Sequence, residues 1–258
     1  MGAEMDRWAT GRVALVTGAG SGIGRSVAQA FAAKGAAVAV CDVDATGGND
    51  TVAAVIEAGG DARFFECDVS VERQVESMVA AVVDAWGRVD FAHNNAGIDG
   101  DVRTRLADQS THNWDRVIAV NLAGVFHCMR QELPVMVRQG GGSIVNTASI
   151  AGLRGFAKAA PYVASKFGVN GLTRVAALDY AVRGVRVNSV CPGVVETTML
   201  GEAVETNPEM VEALAADTPM KRLGQPMEIA AAVVWLCSDE ASFITGQNFA
   251  VDGGFTAK

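Results

Sequence analysis

Seven short runs of β-branched and small apolar residues alternate with longer helical patterns, and this alternation most restricts what the chain can fold into. The runs are Arg12–Thr17, Ala37–Cys41, Ala62–Cys67, Val89–Asn94, Gly142–Thr147, Val185–Cys191 and Asn248–Val251. Apolar spacing between them predicts helices near Gly22–Lys34, Ala45–Ala58, Val71–Trp86, Trp114–Arg138, Ala160–Arg183 and Pro226–Ser238. Ser70, with Glu72 in the first turn, and Pro226 at a first helical position support two of the starts. Strand–helix alternation implies an α/β fold, a doubly wound parallel sheet with helices on both faces. No repeat, low-complexity stretch or linker divides the chain, so residues 11–258 are expected to form one domain behind a loose tail of residues 1–10. The segment 194–224 stands outside the alternation. It carries Pro208 and Pro219 among Met and Leu residues and is expected to form a substrate lid.

Composition narrows the function. Half of the 258 residues are hydrophobic, enough for one well-buried core. No apolar run approaches the roughly 20 residues of a membrane span, and the first residues do not resemble a secretory signal, so a soluble cytoplasmic protein is expected. A formal charge of −8 and the lack of a basic tract argue against nucleic-acid binding. The five cysteines form no Cys-x-x-Cys pair, and the three histidines have no metal-ligand spacing, so no metal is expected.

Chemistry enters at the first turn. Thr17-Gly18-Ala19-Gly20-Ser21-Gly22-Ile23-Gly24 follows a strand and opens a helix. Glycines there let the backbone approach a pyrophosphate, which the helix N-terminus holds. The second strand ends at Asp42, eighteen residues after Gly24. A carboxylate there can accept from both adenosine ribose hydroxyls and repels a 2′-phosphate, which points to NAD. Val43 follows it, and no basic residue lies nearby to offset the charge. Asp44 reads as a turn cap, Arg25 as structural or solvated. Asp68-Val69, at the end of the third strand, is placed to touch adenine.

Tyr162 and Lys166 stand four apart, with Ser149 thirteen residues before the tyrosine. On a helix the i, i+4 pair shares a face. A neighbouring ammonium favours the phenolate and lowers a pKa that is ordinarily near 10. An isolated Tyr-x-x-x-Lys is better read as an amphipathic helix with one aromatic and one solvated lysine; the rest of the chain changes that weighing.

In order, Thr17-Gly18-x-x-x-Gly22-Ile23-Gly24, Asp42, Asp68-Val69, Asn94-Asn95-Ala96-Gly97, Asn121, Ser149, Tyr162-x-x-x-Lys166 and Pro192-Gly193 followed by Val195 and Thr197 span nearly the whole sequence. With these motifs the chain resembles the classical short-chain dehydrogenases/reductases, and it departs from the family at no catalytic position. The resemblance implies a single-domain Rossmann-type fold of about seven strands, assembled as a homotetramer, and reversible hydride transfer between nicotinamide and an alcohol or carbonyl. It implies that Tyr162 is the acid/base, that Lys166 lowers its pKa and holds the nicotinamide ribose, and that Ser149 binds the substrate oxygen. Asn121 would support a water leading from Lys166 to solvent. Gly18, Ser21, Gly22, Ile23, Gly24, Asp42, Val43, Asp68, Val69, Asn95, Ala96, Gly97, Pro192, Gly193, Val195 and Thr197 would line the cofactor, the last two holding the carboxamide. The apolar stretch Phe243-Ile244-Thr245-Gly246 could pack against a partner subunit.

Position and apolarity nominate Ile150, Ala151, Leu153, Phe156, Val194, Met199 and Leu200 as the substrate pocket, beside Ser149 and Tyr162. The expected substrate is a small to medium secondary alcohol or ketone, mostly apolar or cyclic. Two rivals are a 3-oxoacyl-acyl-carrier-protein reductase, which would want NADPH and a basic docking patch, and a non-catalytic dinucleotide sensor or scaffold, which would be expected to have lost part of the Asn121–Ser149–Tyr162–Lys166 set.

Overall fold

The computed structural model describes residues 7–197 and 208–258. Seven strands form one parallel sheet: β1 (Val13–Thr17), β2 (Ala37–Asp42), β3 (Asp61–Glu66), β4 (Phe91–Asn94), β5 (Gly142–Thr147), β6 (Val185–Pro192) and β7 (Asn248–Val251). Their order is β3-β2-β1-β4-β5-β6-β7, so the winding reverses between β1 and β4. Ligands of open α/β sheets bind outside the strand carboxyl ends at such a reversal. All five residues of β1 are buried, as expected of a strand covered on both faces.

Helices α1 (Gly22–Ala33), α2 (Ala45–Glu57), α3 (Glu72–Trp86), α4 (Thr111–Ile118), α5 (Gly124–Gln139), α6 (Ala160–Tyr180), α7 (Pro208–Asp217) and α8 (Pro226–Cys237) complete the described elements. One apolar core joins α1 and α8 to the sheet through Val27, Phe31, Ile229 and Val233. The other joins α3, α5 and α6 through Val75, Val79, Met136 and Val169. Pro226 opens α8, where Gln225 and Glu228 form a capping box.

The structure corrects three expectations. Residues 7–10 are not a loose tail. Trp8 packs edge-on to Phe91 at 5.4 Å, Phe91 stacks on Phe31 at 5.3 Å, and Ala9 is fully buried. These residues cover an aromatic cluster that would otherwise face water. Second, Ser70 does not cap α3: its hydroxyl donates to Asp68 at 2.6 Å, and Val71 takes the cap position. Third, the helix expected over Trp114–Arg138 is interrupted by a π turn at Ala119–Ala123. The turn accompanies Asn121, whose amide is spent on the backbone of Ile98, as described below. The long segment 194–224 contains a helix of its own, α7. Met199 and Leu200 lie outside the described residues.

Candidate active site

A cavity of about 510 Å³ runs along the carboxyl ends of the strands. Gly18, Ser21, Gly22, Ile23, Asp42, Val43, Asp68 and Val69 line one side. Asn95, Ala96, Gly97, Ser149, Tyr162, Lys166, Pro192, Gly193, Val194, Val195 and Thr197 line the other. Nearly every residue expected at a cofactor is therefore on one continuous wall.

Gly24 is the exception. A Cβ built there would lie 2.1 Å from the Gly18 carbonyl oxygen, so this glycine packs α1 onto the turn rather than facing the cavity. The first turn of α1 does face the cavity, and among the described residues no side-chain cap bond is made to its N–H groups. In contrast, Asp44 caps α2 and Ser110 caps α4. A helix N-terminus turned toward a cavity suits an anion such as a pyrophosphate.

Asp42 is held on the same wall. One carboxylate oxygen accepts from the Gly20 N–H at 2.7 Å and the other from the Asp44 N–H at 2.9 Å. Arg25 turns away from the cavity, donating to the carbonyls of Gly20 and Gly47 and to the Thr51 hydroxyl. It clasps the glycine-rich turn against α2, the structural role expected of it. Lys166 is the one Lys or Arg on the cavity wall among the described residues.

Lys166 lies at the opposite end from Asp42. Tyr162 and Lys166 sit on α6, and Ser149 follows β5 in extended conformation. The Ser149 hydroxyl accepts from the Ala151 N–H at 3.0 Å, and Ser149 and Tyr162 both line the cavity. The Lys166 ammonium donates to the Thr147 carbonyl at 2.8 Å and lies 5.6 Å from the centre of the Tyr162 ring. Burial pushes the phenol up to about 12; Asp99 adds to the rise and the nearby Ser149 hydroxyl opposes it. Burial lowers Lys166 to about 8, with Asp99 and Cys191 opposing. The expected depression of the phenol by Lys166 is absent here, because loss of water outweighs the other influences and the ammonium is drawn to a carbonyl.

Asn121 accepts from the Ile98 N–H and donates to the Ile98 carbonyl, each at 2.8 Å. π turns often mark functional sites, and this one brings an amide to the strand β4 exit. A Cβ on Gly97 would lie 3.3 Å from the Asn121 amide oxygen and 3.6 Å from the Lys166 nitrogen, so that residue stands where the two meet.

The apolar nominees fare unevenly. Val194 is on the wall. Ile150 and Ala151 are buried in a 3₁₀ turn, and Leu153 is exposed beyond it. Phe156 stacks on Phe255 at 6.0 Å, with the Arg154 guanidinium over both rings. Sequence reasoning missed Ile98, Asp99 and Thr147, all on the wall. Their position just beyond Gly97, or at the end of β5, was the available signal.

A parallel sheet with a dinucleotide-sized cavity at its reversal point, a helix N-terminus at one end and Ser–Tyr–Lys at the other defines a nicotinamide-dependent oxidoreductase. The family model described as enoyl-(acyl carrier protein) reductase matches residues 18–256. The chain is 44% identical over 247 residues to cyclohexanol dehydrogenase of Acinetobacter sp. (strain SE19), covering 96% of each chain. The crystal structure of levodione reductase superposes with a TM-score of 0.93 at 39% identity, covering 96% of this chain and 98% of that one. A tryptophan variant of actinorhodin polyketide ketoreductase, crystallised with NADPH, gives a TM-score of 0.92 at 39% identity, with 96% and 98% covered. The chain belongs to the short-chain dehydrogenase/reductase family, whose members bind a nicotinamide dinucleotide, and is an oxidoreductase acting on CH–OH groups.

Proposed function

We propose that the protein is an NAD-dependent dehydrogenase/reductase interconverting a secondary alcohol and its ketone, with a small to medium, mostly apolar or cyclic substrate. The observation that carries this is the meeting of Ser149, Tyr162 and Lys166 at one end of a cavity whose other end holds Asp42. Similarity to a cyclohexanol dehydrogenase and to levodione reductase supports the substrate class.

In alcohol oxidation, the Ser149 hydroxyl donates to the substrate oxygen and Tyr162, as phenolate, takes the hydroxyl proton. When held by Lys166 and the cavity wall, an oxidised nicotinamide would supply the hydride acceptor and a positive charge beside the phenol. Lys166 supplies a cation over the Tyr162 ring and would hold the nicotinamide ribose. Ser149 and Tyr162 are fixed before the reaction begins, so they stabilise the developing oxyanion with little reorganisation. Asn121 fixes the strand β4 exit beside Lys166 and would support a water from Lys166 toward solvent.

Asp42 supports NAD over NADP. Both its oxygens already hold backbone N–H groups, and among the described residues no Lys or Arg lines the cavity beside it to meet a 2′-phosphate. The same feature disfavours an acyl-carrier-protein reductase that uses NADPH.

The reading extends to assembly. Leu178 and Val182 are 81% and 89% exposed on and after α6, and Phe243 is fully exposed before β7. Apolar faces of this size suit subunit contacts, and a homotetramer would bury them. All five cysteines are free and buried, which suits the reducing cytoplasm. Residues 194–224 would close over substrate and cofactor as a lid.

A panel of secondary alcohols, ketones, sugars and acyl thioesters, assayed with NAD(H) and NADP(H) by nicotinamide absorbance, tests the reading. Oxidation of cyclic secondary alcohols with NAD, lost in Tyr162→Phe, is expected. Turnover that survives Tyr162→Phe, or acts only on acyl thioesters, overturns it.

A further inference from the structure

Three carboxylates line the cavity among the described residues: Asp42, Asp68 and Asp99. The first two are engaged by their own loops. Asp42 accepts from Gly20 and Asp44, and Asp68 accepts from the N–H and hydroxyl of Ser70 at 2.9 and 2.6 Å. Asp99 differs: among the described residues no N–H or O–H donates to its carboxylate.

Its backbone is nonetheless tightly held. Asn121 brackets Ile98 on one side through both of its amide atoms. On the other side Gly100 turns the chain at φ +65, and the Asp101 N–H donates to Asn113 at 2.9 Å. A half-buried acid is thus presented to the catalytic end of the cavity from a rigid frame. Burial pushes its carboxyl upward while the Lys166 charge holds it down. Asp99 also raises the Tyr162 phenol, which opposes formation of the base. The proton step therefore gives no reason for an acid at this place, whereas substrate selection does.

We propose that Asp99 is a specificity-determining residue whose carboxylate accepts a hydrogen bond from a second hydroxyl of the substrate, so that the preferred substrates are diols or hydroxyketones. The proposal rests on the secondary-alcohol reading above. A site built to bond a substrate hydroxyl rejects the analogue lacking it, because the site's polar group is then left dehydrated and unpaired.

The test compares kcat/KM of the intact enzyme, at saturating NAD, for cyclohexanol and for the cis and trans isomers of 1,2-, 1,3- and 1,4-cyclohexanediol. The readout is the ratio of the best diol to cyclohexanol within each enzyme, which cancels any effect of Asp99 on Tyr162. The parent should favour at least one diol by about tenfold or more, in line with a hydrogen bond to a charged group. Asp99→Ala should bring the ratio near one, and Asp99→Asn, whose amide oxygen still accepts, should retain part of it. A parent ratio near one for every isomer, or a ratio unchanged in both variants, overturns the proposal while leaving cyclohexanol oxidation in place. Failure of the parent to oxidise any of these alcohols overturns the secondary-alcohol reading and the proposal with it.

Discussion

The Lys166 ammonium and the Thr147 carbonyl are joined by a 2.8 Å hydrogen bond that ties the middle of α6 to the end of β5. The strand end thereby fixes the cation over the Tyr162 ring. Ser149, two residues beyond Thr147, lines the same end of the cavity as the phenol. Strand and helix together set the geometry, and a shift of either would separate the three groups.

Tyr162→Phe should lower kcat by roughly 10²–10⁴-fold, the usual range for general acid–base catalysis, with NAD still bound. Lys166→Ala should be nearly as damaging and should also raise the NAD dissociation constant. Ser149→Ala should lower kcat with little change in cofactor affinity. For the parent, the oxidation rate should rise with pH because the phenolate is the base, with a midpoint that a bound oxidised nicotinamide would pull well below the value of about 12 to which burial and Asp99 raise the phenol. Steady-state profiles and calorimetric titration with NAD measure these outcomes; loss of NAD binding in Tyr162→Phe would contradict the assigned roles.

Asp42→Ala should shift cofactor preference. Removing a carboxylate that faces a 2′-phosphate should lower the NAD:NADP ratio of kcat/KM by about tenfold or more, since like-charge juxtaposition costs several kcal/mol. An unchanged ratio would show that preference is set elsewhere.

Glu132 gives a pH prediction. It is fully buried on α5, bonded by the Asn94 amide at 3.0 Å, and burial raises its pKa from 4.5 to about 7. Below the unfolded value both states carry the proton. Between about 4.5 and 7 the folded state holds more protons than the unfolded state, so stability falls as pH rises, and the loss is complete above the folded pKa. The fall amounts to about 3 kcal/mol at the conversion of ~1.36 kcal/mol per pKa unit. Glu132→Gln should flatten the difference in unfolding free energy between pH 5 and 8. Parallel curves for parent and variant in denaturant titrations would exclude Glu132 as the source.

Gly24→Ala tests the packing of the glycine-rich turn. Its Cβ would meet the Gly18 carbonyl at 2.1 Å, so α1 or the turn must move. Overpacking of this kind costs about 1–3 kcal/mol, and here it should also weaken NAD binding. An unaltered Tm together with unaltered NAD affinity would mean that α1 accommodates the methyl.

Residues 194–224 should lose amide exchange when NAD and a substrate analogue bind, if the segment closes as proposed. Light scattering should give a tetramer of the 26.8 kDa chain; a stable monomer at micromolar concentration would end the assembly reading.

Much of the fold was legible because its determinants are local. Gly142–Thr147 and Asn248–Val251 keep the bounds that their apolar runs suggest, and the other strands differ by one or two residues. The glycine-rich turn and Asp42 were readable from their strand–turn–helix context, and Ser149, Tyr162 and Lys166 from the motifs spread along the chain that carry the family resemblance. The misses depend on contacts distant in sequence. Asn121 itself was named, but it engages Ile98, 23 residues away, so nothing nearby in sequence announced the π turn around it. Trp8 finds its place against Phe91 across three strands and three helices of sequence. Apolarity nominated Ile150 and Phe156, but it cannot separate a cavity wall from the packing behind it.

The clasp made by Arg25 limits how the cofactor site can be redesigned. Its donors are committed to Gly20, Gly47 and Thr51, so no guanidinium beside Asp42 can be redirected to a phosphate without loosening the turn. A change of cofactor has to import a new cation. Position 43 offers a mounting point, since Val43 lines the cavity and is 62% exposed. Combining Val43→Arg with loss of the Asp42 charge would add a phosphate ligand while leaving the Arg25 clasp between the glycine-rich turn and α2 intact.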